Sequence, residues 1–208
     1  MSDPQPTIDG RELRSQRTRS AIVEALLAIL ESGDLSPTSN RIAEVAGVSA
    51  RSIFVHFADL EALYLAATMR QIELHPELAV PTPVDGYLGD RLEQFVSRKC
   101  ATYAAVAPVR RAAIVHAHES ETLERVMMAA RAFHQMDVER VFAAELAERP
   151  EDDRRTVADA IAVGSSFVAW DLLDRSGATE TDILSTIRCL VVGALSFGQA
   201  AWATSRYS

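Results

Sequence analysis

Between residues 38 and 57 the chain reads TSNRIAEVAGVSARSIFVHF, two short apolar-periodic segments that meet at one glycine. Ile42 and Val45 form the apolar stripe of the first segment, and Ala43 is small enough to let a second helix cross close by. Gly47 can take the left-handed conformation that turns the chain sharply, Val48 can plug the corner, and Ser49 is a natural N-cap for the next helix. On the second segment Ile53 and Phe57, four residues apart, share the face that must be buried. Arg51, Ser52, Val55 and His56 then lie away from it. This spacing suits a helix-turn-helix, whose second helix enters the DNA major groove, and equally a generic helical hairpin. In a groove, arginine can take guanine O6 and N7, serine a phosphate or a base, and valine a thymine methyl.

Elsewhere β-type alternation is almost absent and i, i+3, i+4 patterns recur, which predicts an all-α chain of about nine helices. The first runs from about Gln16 to Ser32, with Ile22, Leu26, Ile29 and Leu30 on one stripe and Gly33 ending it. Helices at about 39–46 and 50–56 come next, then a fourth that is capped by Asp59 and stops before Pro76. The Pro- and Gly-rich stretch HPELAVPTPVDGYLGD is the best boundary candidate. Beyond it, helices are expected at 87–106, 108–118, 121–148, 153–175 and 180–204. By these signals residues 1–15 read as a flexible basic arm, 16–60 as the helix-turn-helix unit, and 61–208 as a further helical domain, whose effector-binding and dimerisation roles are implied only by the family resemblance given below.

With 208 residues and a net charge of −8, the chain is no general nucleic-acid coat, since non-specific phosphate binding is driven by basic charge. Its charge is uneven: RELRSQRTR sets Arg11, Arg14, Arg17 and Arg19 against Glu12, which makes either a local basic arm or a solvated tail. Cys100 and Cys189 are far apart and form no C-x-x-C, so neither a disulfide framework nor a zinc or redox motif is indicated. The polar, acidic start MSDPQPTIDG is unlike a signal peptide, and a cytoplasmic location is expected. Residues 183–205 carry one charge, Arg188, and are long enough to span a bilayer. Gln199, several Ser and Thr, and the lack of a preceding basic cluster favour a helix in a protein interface, with no membrane partner.

The stretch PTSNRIAEVAGVSARSIFVHFADLEAL resembles the N-terminal DNA-binding domain of the TetR family of bacterial transcription regulators. The specific part is I-A-x-x-A-G-V-S followed by a helix ending in H-F, here Ile42, Ala43, Ala46, Gly47, Val48, Ser49, His56 and Phe57. The likeness covers roughly residues 16–70; beyond, only helix number and length agree. It implies a homodimer with one helix-turn-helix per subunit and a C-terminal helical domain that binds a small effector. It places Ser39 and Asn40 at phosphates and an outer base, with Thr38 the alternative N-cap there. It further sets Ser52 and Phe54 at the DNA backbone and His56 near phosphate. Three positions depart from the family pattern. Arg51 stands where glycine is common, Phe54 lacks the usual tyrosine hydroxyl, and Leu60 replaces a lysine that meets phosphate. Arg17 and Arg19 are candidates to restore that charge.

The last two helices resemble the family's dimer interface. Val157, Ile161, Val168 and Leu172 read as one stripe, and Ile183, Ile187, Leu190, Ala194 and Ala201 as another, with Gly193 and Gly198 permitting close approach. An intramolecular hairpin in a monomer is the alternative. For the effector site, the candidates are the polar or aromatic residues Tyr103, His116, Phe133, His134, Met136, Phe167 and Trp170, each of which also suits plain core packing. They favour an apolar or aromatic effector, although Arg110 and Arg111 would equally suit an acidic one. His116 and His118 are two apart and cannot share a metal from one helix, and no catalytic motif is found; no cofactor, metal or enzymatic activity is expected. The expectation is thus a ligand-responsive regulator, a repressor released from operator DNA by its effector. A helical small-molecule binding protein or enzyme with a vestigial helix-turn-helix is the competing reading.

Overall fold

A computed structural model of the chain describes residues 10–76, 80–117 and 120–197. Among these residues every regular element is a helix: α1 (Gly10–Glu31), α2 (Ser39–Ala46), α3 (Ala50–His56), α4 (Leu60–Leu74), α5 (Leu88–His116), α6 (Glu121–Val141), α7 (Ala143–Ala147), α8 (Glu151–Gly164), α9 (Phe167–Arg175) and α10 (Glu180–Ser196). That is ten helices where nine are expected, because three boundaries fall differently. The helix expected to break at Pro108 runs through it. Proline removes one backbone hydrogen bond, but Ala107, Val109 and Ala112 around it are buried, and that packing keeps the helix continuous. The stretch 121–148 breaks at Phe142, whose backbone (φ −106°, ψ 21°) leaves the helical region while its buried ring meets Phe95 edge-on at 5.2 Å. The stretch 153–175 breaks at Ser165 and Ser166. Ser166 takes an extended backbone and caps α9 by accepting the Ala169 N–H.

At the N-terminus, α1 begins at Gly10 rather than near Gln16, so the second part of the expected arm is helical. Residues 1–9, and with them the rest of that arm, lie outside the described residues, as do His118, Gly198, Gln199 and Ala201.

The chain forms two compact units. One comprises residues up to His75 together with 108–125; the other comprises 76–107 and the residues from Val126 onward. In the first unit Ile22, Leu26 and Leu30 of α1 pack with Ile42 and Ala43 of α2, Ile53 and Phe57, and Leu63, Tyr64 and Ala67 of α4. The α4 residues are integral to that core, so the compact unit reaches past residue 60.

In the second unit the core joins Phe95, Tyr103, Phe142, Ile161, Phe167, Trp170, Ile187 and their neighbours. Residues 151–175 together are long and apolar enough to cross a membrane. The break at Ser165 interrupts them, and Val157, Ile161, Phe167 and Trp170 are buried among the residues of the unit. A polar clasp fastens the segment before α5. Asp137, 4% exposed, accepts the Thr82 hydroxyl at 2.8 Å and pairs with Lys99 at 2.9 Å and Arg140 at 2.6 Å. Burial opposes the charge on Asp137, but its bonds from Lys99, Arg140 and Thr82 hold the carboxyl below the ordinary carboxylate value.

A depressed carboxyl contributes stability that is complete above its unfolded pKa and lost as pH falls through the native value. Asp137→Asn leaves Lys99 buried without a counter-charge and should cost about 3–5 kcal/mol in chemical denaturation at neutral pH. The wild-type advantage over this variant should shrink as pH is lowered through the carboxylate range.

Candidate nucleic-acid interface

The corner between α2 and α3 is built by local bonds. Thr38 caps α2, its hydroxyl accepting the Arg41 N–H at 3.3 Å. At the other end Gly47 takes φ 66° and ψ 31°, and the Val48 N–H reaches the Ala43 carbonyl at 3.0 Å. An L-residue with a side chain rarely adopts that conformation. Ser49 then caps α3, accepting the Ser52 N–H at 3.2 Å, and the two serine hydroxyls share a hydrogen bond of 2.8 Å. Asp59 caps α4 by accepting the Ala62 N–H at 2.8 Å.

These caps decide which side of α3 faces water. Ile53 and Phe57 are 0% and 3% exposed, so the opposite face must project outward. Arg51 is exposed there, and so are two large apolar side chains, Phe54 at 52% and Val55 at 72%. Ser52 and His56 are half-buried on its flanks. On α2, Asn40 is exposed and Ser39 half-buried, while Val45, expected beside Ile42 in the core, is instead 43% exposed. Ile42 and Ala43 already fill the contact with α1 and α3, which leaves Val45 outside. Arg41 pairs with Glu44 at 3.0 Å. Leu60 is half-buried against the core of this unit and presents no charge.

Two further contacts brace the corner. The Tyr64 hydroxyl donates to the Leu35 carbonyl, 3.4 Å away, in the connection that leads into α2. Burial, with Asp34 adding to it, pushes that hydroxyl up to about 12, so it stays a donor across the physiological range. The Arg19 guanidinium lies 4.3 Å from the centre of the Phe57 ring. Tyr64 is not among the residues expected from the sequence. The signal available for it is its place on the inner face of α4, four residues after Leu60 and seven before the buried Gln71.

The expected effector residues are distributed unevenly. Tyr103, Phe167 and Trp170 are buried and pack on one another, with ring centres 5.6–6.3 Å apart, and the Tyr103 hydroxyl donates to the Ser165 carbonyl at 3.0 Å. His134 is 3.0 Å from the Ala162 carbonyl through Nε2. Phe133 and Met136 are 38% and 59% exposed on α6. His116 belongs to the first unit, its ring 4.8 Å from that of Tyr64. A groove of about 630 Å³ in the second unit is lined by Gln135, Glu139, Leu146, Arg154, Arg155 and Asp159, among others, none of them expected from the sequence. Among the described residues no three His, Cys, Asp or Glu side chains are grouped so as to hold a metal ion.

No protein-family model matches the chain, and no curated protein is matched. A solved transcriptional regulator from Rhodococcus sp. Rha1 superposes on it with a TM-score of 0.65, over 88% of this chain and 96% of that one. The chain shares that protein's fold. Sequence identity between the two is 17%, so the likeness is one of fold.

A Cβ at Gly47 would meet no atom within 4 Å, so the demand for glycine comes from the backbone alone. Gly47→Ala should therefore cost about 1–2 kcal/mol, the strain of a left-handed L-residue, in thermal or urea unfolding. A loss well above that would mean that the corner itself has changed shape.

Proposed function

We propose that this chain is a DNA-binding transcriptional regulator of the TetR type. It acts as a homodimer, recognises operator DNA through α3, and works as a repressor that a small effector releases. The observation that carries the reading is the outward face of α3. A capped seven-residue helix offers Arg51 and exposes Phe54 and Val55 to solvent, and Val45 of α2 is also exposed. Large apolar side chains left in water next to an arginine suit a DNA face, where Val55 can meet a thymine methyl and Phe54 the backbone while arginine takes a guanine. The shared fold with a transcriptional regulator supports the same reading.

The homodimer rests on the second unit. Of the stripe expected to pair across subunits, Val157 and Ile161 are buried within the chain's own unit, as are Ile183 and Ile187 of α10. What remains of it outside is Val168 at 67%, Leu172 at 71% and Leu190 at 46% exposure, joined by Val163 at 71%, which is not part of the expected stripe. α8 and α10 approach closely: a Cβ on Gly164 would lie 3.0 Å from the Leu190 Cβ, which brings Val163 and Leu190 to one crossing. A second copy laid on this face removes those side chains from water. For the effector, Phe133 and Met136 are the candidates that an apolar or aromatic molecule can reach without unpacking the core.

The deciding experiment selects fragments from random duplex DNA and measures their retention against salt. A steep loss of binding as salt rises supports the regulator, and absence of any retention favours a helical binding protein or enzyme with a vestigial helix-turn-helix. On the selected site, Arg51→Ala should cost about 1–3 kcal/mol and relax preference at one base pair per half-site, as read on operators substituted one pair at a time. Leu172→Asp should convert a species of two subunits by light scattering into one of a single subunit. A wild type that is already a single subunit at micromolar concentration would sink the dimer.

A further inference from the structure

α6 runs unbroken from Glu121 to Val141, and one side of it is buried through Asp137, Val138 and Val141. On the opposite side the helical repeat lines up Arg125, Met128, Ala129, Ala132, Met136 and Glu139, and all six are exposed. Met128 and Met136 are 64% and 59% exposed, large apolar side chains standing in water with small alanines between them. Phe133 lies at the edge of this face, its ring centre 5.9 Å from the Lys99 ammonium. The outward face of a surface helix is ordinarily polar. Along the middle of this one, charges stand only at the two ends.

The order of residues on the face is balanced about Ala132. Met128 and Met136 lie four residues to either side of it, and Arg125 and Glu139 lie seven to either side. A second copy laid antiparallel across a two-fold axis at Ala132 therefore sets Met128 beside the partner's Met136 and Arg125 opposite the partner's Glu139, and symmetry makes each contact twice. Both charges are available for it. Arg125 donates to the Thr122 hydroxyl at 3.3 Å and Glu139 accepts the Gln135 amide at 3.2 Å, so among the described residues each meets a neutral group and keeps its charge for an opposite one. Like charges at the two ends would instead repel. Ala132 leaves the crossing point without a bulky side chain, which lets two helix axes approach to about 8 Å. The methionines, flexible and polarizable, can fill the space on either side of it.

We propose that this face of α6 is a second self-association surface, which takes the same face of another copy in antiparallel register. It is distinct from the face of Val168, Leu172 and Leu190, and it depends neither on the DNA-binding reading nor on the dimer proposed above. From Arg125 to Glu139 the helix rises about 21 Å. One helix pair of that length buries much less than the roughly 1,600 Å² of a standard stable interface. The contact is therefore weak, and it shows at high concentration, where it joins dimers into larger assemblies.

The test follows the mass of the full-length protein by sedimentation velocity from micromolar to near-millimolar concentration. The average mass should climb above its micromolar value as concentration rises. Ala132→Glu sets two carboxylates against each other at the axis while keeping a good helix former; it should abolish the climb and leave the melting temperature unchanged. Arg125→Glu should weaken the association several-fold. The double variant Arg125→Glu, Glu139→Arg should restore it, since the pair is remade with its signs exchanged. Leu172→Asp should lower the starting mass and leave the climb in place. A wild-type mass that stays constant, or a climb that Ala132→Glu leaves intact, overturns the inference while the regulator and its dimer stand. A climb abolished by Leu172→Asp alone gives the association to the other face and overturns the inference as well. Failure of the double variant to recover overturns the antiparallel register. A constant mass, with an apolar fluorescent dye bound by the wild type and not by Met128→Glu, would give the face to a small apolar ligand instead. A wild type of one subunit at micromolar concentration sinks the other dimer alone, and the climb then runs from one subunit to two.

Discussion

The left-handed turn at Gly47 is the constraint on which the N-terminal unit depends. It sends α3 across α2 at the angle that lets Ile42, Ile53 and Phe57 reach the same core as Leu26 and Leu63. Once those side chains are committed inward, the helical repeat commits Arg51, Phe54 and Val55 outward. The chemistry of the exposed face thus derives from the packing of the hidden one. Tyr64 fixes the approach to α2 through Leu35, and the caps at Thr38, Ser49 and Asp59 fix where each helix starts. Each of these bonds is made within one chain.

The second unit handles charge differently from the first. Its arginines are largely consumed by the fold: Arg91 pairs with Glu145 and bonds the Val141 carbonyl, Arg140 joins the Asp137 clasp, and Arg149 donates to the carbonyls of Leu195 and Phe197 at the end of α10. Such cations satisfy helix ends and buried acids and cannot also serve a ligand freely. Arg14, Arg17 and Arg19 at the start of α1 stay exposed instead, which is how an acidic chain keeps a local basic surface.

Local bonding decides what can be read in the sequence. The corner from Thr38 to Phe57 and the cap at Asp59 are legible because glycine geometry, capping and a four-residue apolar repeat act over a few positions. Val45 is not, because an apolar residue near a stripe gives no sign of whether the neighbouring helix has room for it. Pro108 misleads for a related reason: the packing that carries α5 through it involves residues distant in sequence. The aromatic candidates show the limit for sites. Tyr103, Phe167 and Trp170 have the composition of a pocket lining, and only contact shows that they fill one another's space. The groove of Gln135, Glu139 and Arg155 draws on separate helices and leaves no local trace in the chain.

The break at Ser165 and Ser166 does leave a trace, the run Gly-Ser-Ser, and it divides one apolar periodicity between two tasks. Before it, Val157 and Ile161 turn into the chain's own interior; after it, Val168 and Leu172 turn away. Ser165 is fully buried, its hydroxyl bonded to the Ile161 carbonyl at 2.6 Å and its own carbonyl accepting from Tyr103, so the division is held firmly. Each chain is then folded but incompletely wrapped. In the dimer proposed above, a second copy on the outward half would give the free energy of unfolding a term in protein concentration, and dilution would then act as a mild denaturant.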